Sequence, residues 1–196
     1  MSSANESSSD KILSVTVKLM SEKGYKAVTI KEIATAAGIS EMTVFRTFGC
    51  KKAILDKIIE NYLYSAPIDN IVQERITFDL EADLKMLSKF YQDMVNKNQE
   101  VYLISIMERN TMPEIHLSIH NNVTKFISVV IEYMKTMQQK GKVITGDPVA
   151  QALTLMQFNY GKFVANTLTE GTDAIRLTNS DYLNEAVSII AKGLKP

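Results

Sequence analysis

The chain has 196 residues, of which 45% are apolar and 22% charged, a composition that supports a sizeable core and excludes a largely disordered protein. It has no run of about 18 apolar residues and no basic N-terminal stretch followed by an apolar one, so we expect no membrane span, no signal peptide and a cytoplasmic location. The single cysteine, Cys50, excludes an internal disulfide and a cysteine zinc cluster.

The formal net charge is zero, which by itself argues against a nucleic-acid partner. The charge is unevenly distributed, however. Between residues 23 and 57 there are seven lysines and arginines against three acidic residues, a local balance of +4. This basic segment suits either phosphate binding or an ordinary solvated surface, and charge alone does not decide between them.

The chain opens with a Ser- and Asn-rich stretch that we expect to be disordered over residues 1–9. An apolar repeat with helical spacing then begins, with Ile12, Val15 and Leu19 on one face, and it predicts a first helix over residues 10–23. Gly24 is placed to end this helix, because glycine adopts the left-handed conformation that commonly follows a helix.

Two short helices separated by a tight turn follow. Residues 29–32, Thr-Ile-Lys-Glu, form a capping-box sequence, so the second helix should begin at Ile30 and end near residue 36. Gly38 can adopt a left-handed turn conformation without steric cost, and Ser40 can cap a third helix that continues to Phe48. This is the layout of a helix-turn-helix, whose second helix enters the DNA major groove.

The two short helices need an apolar seam to hold their crossing. We expect Ile33 and Ala34 on the first and Val44 and Phe48 on the second to form it, with Ala37 small enough for close approach. The remaining positions of the second helix then face outward.

Helical periodicity continues to the end of the chain, with no strand alternation and no fixed repeat. It predicts six more helices, over residues 51–65, 79–96, 100–109, 114–140, 148–169 and 180–192. We therefore predict an all-α fold of about nine helices. Its parts are a helix-turn-helix domain over residues 10–50 and a larger helical domain over residues 51–196.

Several short sequences around the helix-turn-helix occur in a characteristic order. They are EKGY at residues 22–25, TIKEIA at 29–34, AGIS at 37–40 and TVF at 43–45, followed by Phe48. In this order and spacing, over about residues 12–63, the chain resembles the DNA-binding domain of the TetR family of bacterial transcription regulators. The resemblance implies a regulator and not an enzyme, with a C-terminal domain that binds an inducer and forms a homodimer.

The resemblance also assigns DNA-binding roles to individual residues. Base-edge contacts or their neighbours fall at Glu41, Met42, Phe45 and Arg46, and phosphate contacts at Thr43, Thr47 and Lys51. The cap residues Thr29 and Ser40 complete the predicted set. Arg46 is the leading candidate for direct readout, because its guanidinium can bond a guanine edge bidentately, and a phosphate contact is the alternative.

Some positions depart from the family's common residues. Met42 stands in place of glycine, Phe45 in place of tyrosine and Thr47 in place of histidine, which puts two phosphate contacts in doubt. Phe45 could instead pack against a thymine methyl group. Cys50 stands where serine or asparagine often caps the next helix, and we expect a weak cap and not a redox sensor, since no second cysteine could resolve an oxidised thiol.

In the C-terminal part, the resemblance implies dimerisation through the last two helices, with packing inside one subunit as the alternative. Seven of the ten methionines lie after residue 80 among aromatic residues, which suits a deformable apolar pocket or plain core filling. The residues predicted to bind the inducer are Phe90, Met94, Tyr102, Met107, Phe126, Tyr133, Met156 and Tyr160. Glu108 and Arg109 could place charge in a cavity or form an exposed ion pair.

His116 and His120, with Glu114 nearby, have spacing that could hold a metal ion, but no second cluster completes such a site, and we predict neither a metal nor a cofactor. The resulting prediction is a repressor that binds a palindromic operator on double-stranded DNA as a dimer and is released by a small, mostly apolar inducer. The alternative is a helical enzyme or small-molecule-binding protein whose DNA function is degenerate. The chain shows no nucleophile elbow, phosphate loop or suitably spaced carboxylate pair for an enzyme.

Overall fold

The computed structural model describes residues 7–64, 74–168 and 180–196. Over these residues the chain forms nine α-helices of eight residues or more and no β-strand, which confirms the predicted all-α fold. None of these helices is both long and apolar enough to cross a membrane. The helices are α1 Ser8–Lys23, α2 Ile30–Ala37, α3 Glu41–Phe48, α4 Lys51–Tyr64, α5 Leu80–Lys97, α6 Gln99–Met107, α7 Pro113–Gln139, α8 Pro148–Leu168 and α9 Ser180–Leu194.

The helix boundaries agree with the predicted ones to within two residues. α1 begins at Ser8 and not at residue 10, because Ser7 Oγ accepts a hydrogen bond from the Asp10 amide at 3.1 Å and caps the helix earlier. This corrects the predicted disordered lead at residues 8 and 9, which are helical. Residues 1–6 of that lead, and residues 65 and 169 at the ends of two predicted helices, lie outside the described residues.

Packing divides the chain into two compact units. The first contains α1 to α4, α6 and α7 as far as Asn122, and the second contains α5, α7 from Val123 onward, α8 and α9. This division differs from the predicted boundary at residue 50, because α4 and α6 both pack against α1. The functional division into residues 10–50 and 51–196 stays a prediction.

In the first unit, α1 packs against α2, α4 and α6. Ile12 and Met20 of α1 are fully buried in one apolar cluster with Ile54 and Leu55 of α4. Burying side chains of this size stabilises a fold by roughly 1.5–3 kcal/mol each. The cluster therefore supports α2 and α3, because helices of eight residues are marginal without tertiary packing.

In the second unit, α5 packs against α8 and α9. A buried polar network joins α5 to α8: Gln92 Nε2 donates to the Asn159 backbone carbonyl at 2.8 Å, and Asn159 Nδ2 donates to Ser88 Oγ at 2.9 Å. Because unpaired buried polar groups are costly, these bonds disfavour any other register of the two helices.

A buried carboxylate, Asp83, lies in the first turn of α5. Its Oδ1 accepts hydrogen bonds from the Thr77 amide at 2.9 Å and the Thr77 hydroxyl at 2.8 Å, and its Oδ2 accepts one from the Tyr133 hydroxyl at 3.0 Å. Burial and the neighbouring Asp83 raise the pKa of Tyr133 well above its ordinary value. The Tyr133 hydroxyl therefore stays protonated and remains a donor.

Glu81, one turn before Lys85, connects α5 to α9. Its Oε1 accepts hydrogen bonds from Lys85 Nζ at 2.6 Å and from Ser188 Oγ at 2.7 Å, and these bonds hold the pKa of Glu81 at about 2, below the ordinary 4.5. A carboxyl group whose pKa is lowered by folding stabilises the protein above its unfolded pKa, and this contribution is lost as the pH falls through the folded pKa.

We therefore expect the Glu81→Gln variant to lose less stability than the wild type as the pH falls from the ordinary pKa of 4.5 to about 2. Urea unfolding midpoints, followed by circular dichroism at a series of pH values, measure the difference. Glu185→Gln, which removes an exposed carboxylate of α9, is the control. Parallel pH profiles for the wild type and Glu81→Gln would contradict the prediction.

Candidate nucleic-acid interface

The predicted capping box at the start of α2 is confirmed. Thr29 Oγ1 accepts from the Glu32 amide at 3.2 Å, and the Glu32 carboxylate accepts from the Thr29 amide at 2.9 Å. Lys23 donates to the same carboxylate at 3.1 Å. The backbone bond from Thr29, together with the bonds from Lys23 and the Thr29 hydroxyl, lowers the pKa of Glu32. These bonds give α2 a defined first residue.

The turn between α2 and α3 also has the predicted form. Gly38 adopts the left-handed conformation, with φ +67° and ψ 34°, and its amide donates to the Thr35 carbonyl at 3.2 Å. A residue with a side chain would be strained there. Ser40 Oγ accepts from the Thr43 amide at 3.2 Å and caps α3. Gly38 and Ser40 together set the direction in which α3 leaves the turn.

One face of α3 packs against the rest of the first unit. Val44 is buried in the same apolar cluster as Ile33 and Ala34 of α2, and the partly buried Phe48 packs against that cluster. The predicted seam is therefore confirmed for these residues. Because this face of α3 packs against the core, the other side chains of α3 are directed outward.

The outward face of α3 carries the predicted base-contacting residues. Met42 is 75% exposed and Phe45 48% exposed, although both side chains are large and apolar. Glu41 and Arg46 are exposed on the same helix. Within the described part of the chain, no hydrogen bond or ion pair involves the Arg46 guanidinium. The structure thus places the Arg46 guanidinium, which has no hydrogen-bond partner among the described residues, and two exposed apolar side chains on one short helix.

The predicted phosphate-contacting threonines make bonds within α3 and its cap. The Thr43 hydroxyl shares a 2.9 Å hydrogen bond with the Ser40 hydroxyl, and Thr47 Oγ1 donates to the Thr43 carbonyl at 2.8 Å. A hydroxyl can donate one hydrogen bond and accept others, so these bonds do not exhaust the capacity of either threonine. Their contact with phosphate stays a prediction.

Lys51, in the first turn of α4, binds the loop between α1 and α2. Its Nζ donates to the carbonyls of Tyr25 and Val28, both at 2.6 Å, and lies 4.3 Å from the centroid of the Tyr25 ring. Burial lowers the pKa of Lys51. Two of its three N–H donors are thus used inside the protein, which sequence spacing did not indicate. The contact of Lys51 with a phosphate stays a prediction.

Glu108, immediately after α6, binds the same loop. It is buried, and its Oε1 accepts from the Tyr25 amide at 2.8 Å while its Oε2 accepts from the Thr111 hydroxyl. The exposed ion pair that the sequence offered for Glu108 is therefore wrong, and a charge in a ligand cavity stays a prediction. No local pattern signals this contact, because Glu108 and Tyr25 are 83 residues apart.

The residues predicted to bind an inducer are divided between the two units. Tyr102 and Met107 belong to the first unit, and the other six belong to the second: Phe90, Met94, Phe126, Tyr133, Met156 and Tyr160. Phe126 is fully buried and stacks on Phe90 with ring centroids 5.6 Å apart. The eight residues therefore do not all belong to one unit, and their role stays a prediction.

Two other candidate sites lie in the first unit. A groove of about 490 Å³ lies between α4 and the start of α7, lined in part by Ile59 and Ile115, and none of the predicted inducer-binding residues lines it. The rings of His116 and His120 have centroids 6.3 Å apart. Among the residues that the structure describes, no group of three potential ligands could hold a metal ion.

Comparison with known proteins identifies a matching family segment and similar transcription regulators. Residues 12–58 match the family described as "Bacterial regulatory proteins, tetR family". The HTH-type transcriptional regulator YvkB of Bacillus subtilis is 27% identical, with the match covering 94% of this chain and 95% of YvkB. IcaR of Staphylococcus aureus, the HTH-type negative transcriptional regulator of the biofilm operon icaADBC, is 22% identical over 95% of this chain and 98% of its own.

Solved structures share the fold over the whole length. The MbdR regulator from Azoarcus sp. CIB superposes with a TM-score of 0.76 at 22% sequence identity, covering 97% of this chain and all of the MbdR chain. The matched segment coincides with the part of the first unit that carries the capped helix-turn-helix and its outward-facing helix. Residues 12–58 thus match the tetR family, and over nearly its whole length the chain is similar to HTH-type transcription regulators.

Proposed function

We propose that the protein is a repressor that binds a palindromic operator as a homodimer and is released by a small, mostly apolar inducer. The observation that carries the proposal is the exposed surface of α3, a helix on which Met42, Phe45 and Arg46 all lie outside the core. Exposed apolar groups of this kind commonly mark a binding surface. The DNA major groove offers partners for both kinds of group, thymine methyls for the apolar side chains and guanine acceptors for arginine.

Phosphate contacts would surround this helix. Thr43, Thr47 and the third N–H of Lys51 are the proposed donors, and the cap residues Thr29 and Ser40 lie at the N-termini of α2 and α3. The N-terminus of a helix carries partial positive charge and unpaired amides, which favours a nearby phosphate. Such contacts would set the orientation of α3 without reading sequence.

The dimer would form through α8 and α9. Both helices leave large apolar side chains exposed in the single chain: Tyr160 on α8 is 44% exposed and Ile189 on α9 is 62% exposed. A second copy of the same face would cover them, as a two-fold interface requires. Binding to a palindromic site would require the two α3 helices of the dimer to lie about 34–36 Å apart, one turn of DNA.

Release by an inducer is proposed from the apolar interior of the second unit. Phe126 and Met156 are buried there, and aromatic and methionine side chains adapt to apolar ligands of different shapes. IcaR, a similar protein, is a negative regulator, which supports repression in preference to activation. An inducer releases DNA only to the extent that it binds the DNA-incompetent conformation more tightly.

A fluorescence-anisotropy titration tests the proposal. The purified protein is titrated onto a duplex from the DNA beside its own gene and onto a scrambled duplex, each at several salt concentrations. We expect at least about 10³-fold tighter binding to the first duplex and a steep loss of affinity with salt. Equally weak binding to both duplexes at every salt concentration would reject DNA regulation and leave the alternative, a helical enzyme or small-molecule-binding protein.

A further inference from the structure

The loop over residues 24–29, between α1 and α2, is bound from two sides by charged side chains. The Glu108 carboxylate accepts a hydrogen bond from the Tyr25 amide at 2.8 Å. The Lys51 ammonium donates to the Tyr25 carbonyl at 2.6 Å and to the Val28 carbonyl at 2.6 Å. Both backbone polar groups of Tyr25 are therefore held by ionic side chains, and we call Glu108, Tyr25 and Lys51 the loop clamp.

Two features of Glu108 make the loop clamp a strong restraint on the loop. Glu108 is only 6% exposed, and hydrogen bonds to a buried carboxylate are stronger than those between neutral groups. Its second oxygen accepts a hydrogen bond from the Thr111 hydroxyl, so both carboxylate oxygens are hydrogen-bonded. Its negative charge also favours the charged form of Lys51, which burial disfavours.

The loop also lies close against the end of α6. Gly24 has φ +78°, and a Cβ added to it would lie 3.3 Å from Glu108 Oε1 and 3.3 Å from Met107 Cε. Contacts at this distance leave little room for a side chain. The path of the chain out of α1 is therefore set by backbone conformation, by packing and by three hydrogen bonds to charged side chains.

We propose that Glu108 is a positioning residue for DNA binding, an inference that rests on the proposed function. Glu108 is buried, and it binds the loop that leads directly into α2. The same loop anchors Lys51, whose remaining N–H is a proposed phosphate donor. Loss of the Glu108 carboxylate would free the Tyr25 amide, shift the start of α2 relative to α1, and misplace both α3 and the Lys51 ammonium.

The test compares two substitutions at Glu108. Glu108→Leu removes the acceptor but keeps an apolar side chain of similar size, whereas Glu108→Gln keeps an oxygen that can accept from the Tyr25 amide. We expect the Leu variant to bind the duplex from beside the gene about tenfold more weakly or worse, since a hydrogen bond to a charged group is lost, and the Gln variant to stay within about threefold of the wild type. Glu100→Leu, the same change at an exposed position of α6, is the control and should bind normally.

A second measurement reports on the loop without DNA. Amide hydrogen exchange at Tyr25, followed by NMR, should be slow in the wild type and in Glu108→Gln. In Glu108→Leu it should be faster by about tenfold or more. This rescue by glutamine distinguishes a defined hydrogen bond from a general loss of stability. If the Glu108→Leu variant does not fold, the wild type alone still tests the inference. Amide exchange at Tyr25 of the wild type as fast as at its exposed neighbour Lys26 would overturn it.

The outcomes separate the inference from the function on which it rests. Equal binding of the wild type to the gene-proximal and scrambled duplexes rejects DNA regulation itself. Specific binding by the wild type, with unchanged affinity in a folded Glu108→Leu variant, rejects only the role of Glu108. A loss of affinity in Glu108→Leu that Glu108→Gln restores supports the inference.

Discussion

Replacement of Asp83 by alanine is expected to lower the free energy of unfolding by about 2–4 kcal/mol, more than most single substitutions do. Asp83 is 1% exposed and accepts three hydrogen bonds, two from Thr77 and one from the Tyr133 hydroxyl. The alanine variant lacks the carboxylate that accepts these three hydrogen bonds, and its smaller side chain leaves a cavity. The Tyr133 hydroxyl is a buried donor, and the loss of its partner costs roughly 1–3 kcal/mol, to which the space left by the side chain adds; Thr77 is exposed, so its two donors can bond to water instead.

Urea unfolding at pH 7, followed by circular dichroism at one protein concentration, measures this change. Asp83→Asn keeps one oxygen for Thr77 and should lose less than half as much stability as the alanine variant. Asp93→Ala is the matched control on the same helix: Asp93 is exposed and pairs with Lys89 at 3.2 Å, and such surface pairs contribute about 0–1 kcal/mol. An Asp83→Ala variant as stable as this control would show that the buried network contributes little.

Replacement of Arg46 by alanine is expected to weaken binding to the gene-proximal duplex by about 10- to 100-fold while changing binding to a scrambled duplex by no more than a few-fold. The reason is geometric: Arg46 is exposed on the outward face of α3, and its guanidinium is not committed to another described residue. A fork of parallel donors can bond two acceptors of one guanine. Alanine leaves the rest of α3 unchanged, because Arg46 is not part of the buried seam.

Arg46→Lys is the decisive comparison for this position. Lysine keeps the positive charge but lacks the planar fork, so it should lose specificity nearly as much as alanine while keeping the wild-type salt dependence. Anisotropy titrations over a range of salt concentrations provide both quantities. If Arg46→Ala instead weakens both duplexes equally, lowers the salt slope by about one, and is restored by lysine, Arg46 contacts a phosphate and does not read a base.

The sequence predicted the helix ends and the turn of the helix-turn-helix correctly, because the residues that define them lie close together in the chain. The capping box joins Thr29 to Glu32, the turn depends on Gly38, and the α3 cap joins Ser40 to Thr43, all over separations of three residues or fewer. Capping and turn preferences arise from such short-range hydrogen bonds and backbone conformations, so residue order suffices to predict them. The face of α3 that is buried followed from helical periodicity for the same reason.

Contacts between distant segments were decided only by the tertiary structure. Tyr25 lies 26 residues before Lys51 and 83 before Glu108, and no periodic pattern connects such positions. The sequence likewise identified Tyr133 as a candidate ligand residue, whereas the folded chain places its hydroxyl on Asp83, 50 residues away. The sequence by itself determined that α2 and α3 form a helix-turn-helix, because each of its signals acts within a few residues. How that motif is held in place was decided only by the tertiary structure, in which α4 and α6 pack against α1. The hydrogen-bond partners of a buried charge depend on which distant segments pack together in the core, and residue order does not show this.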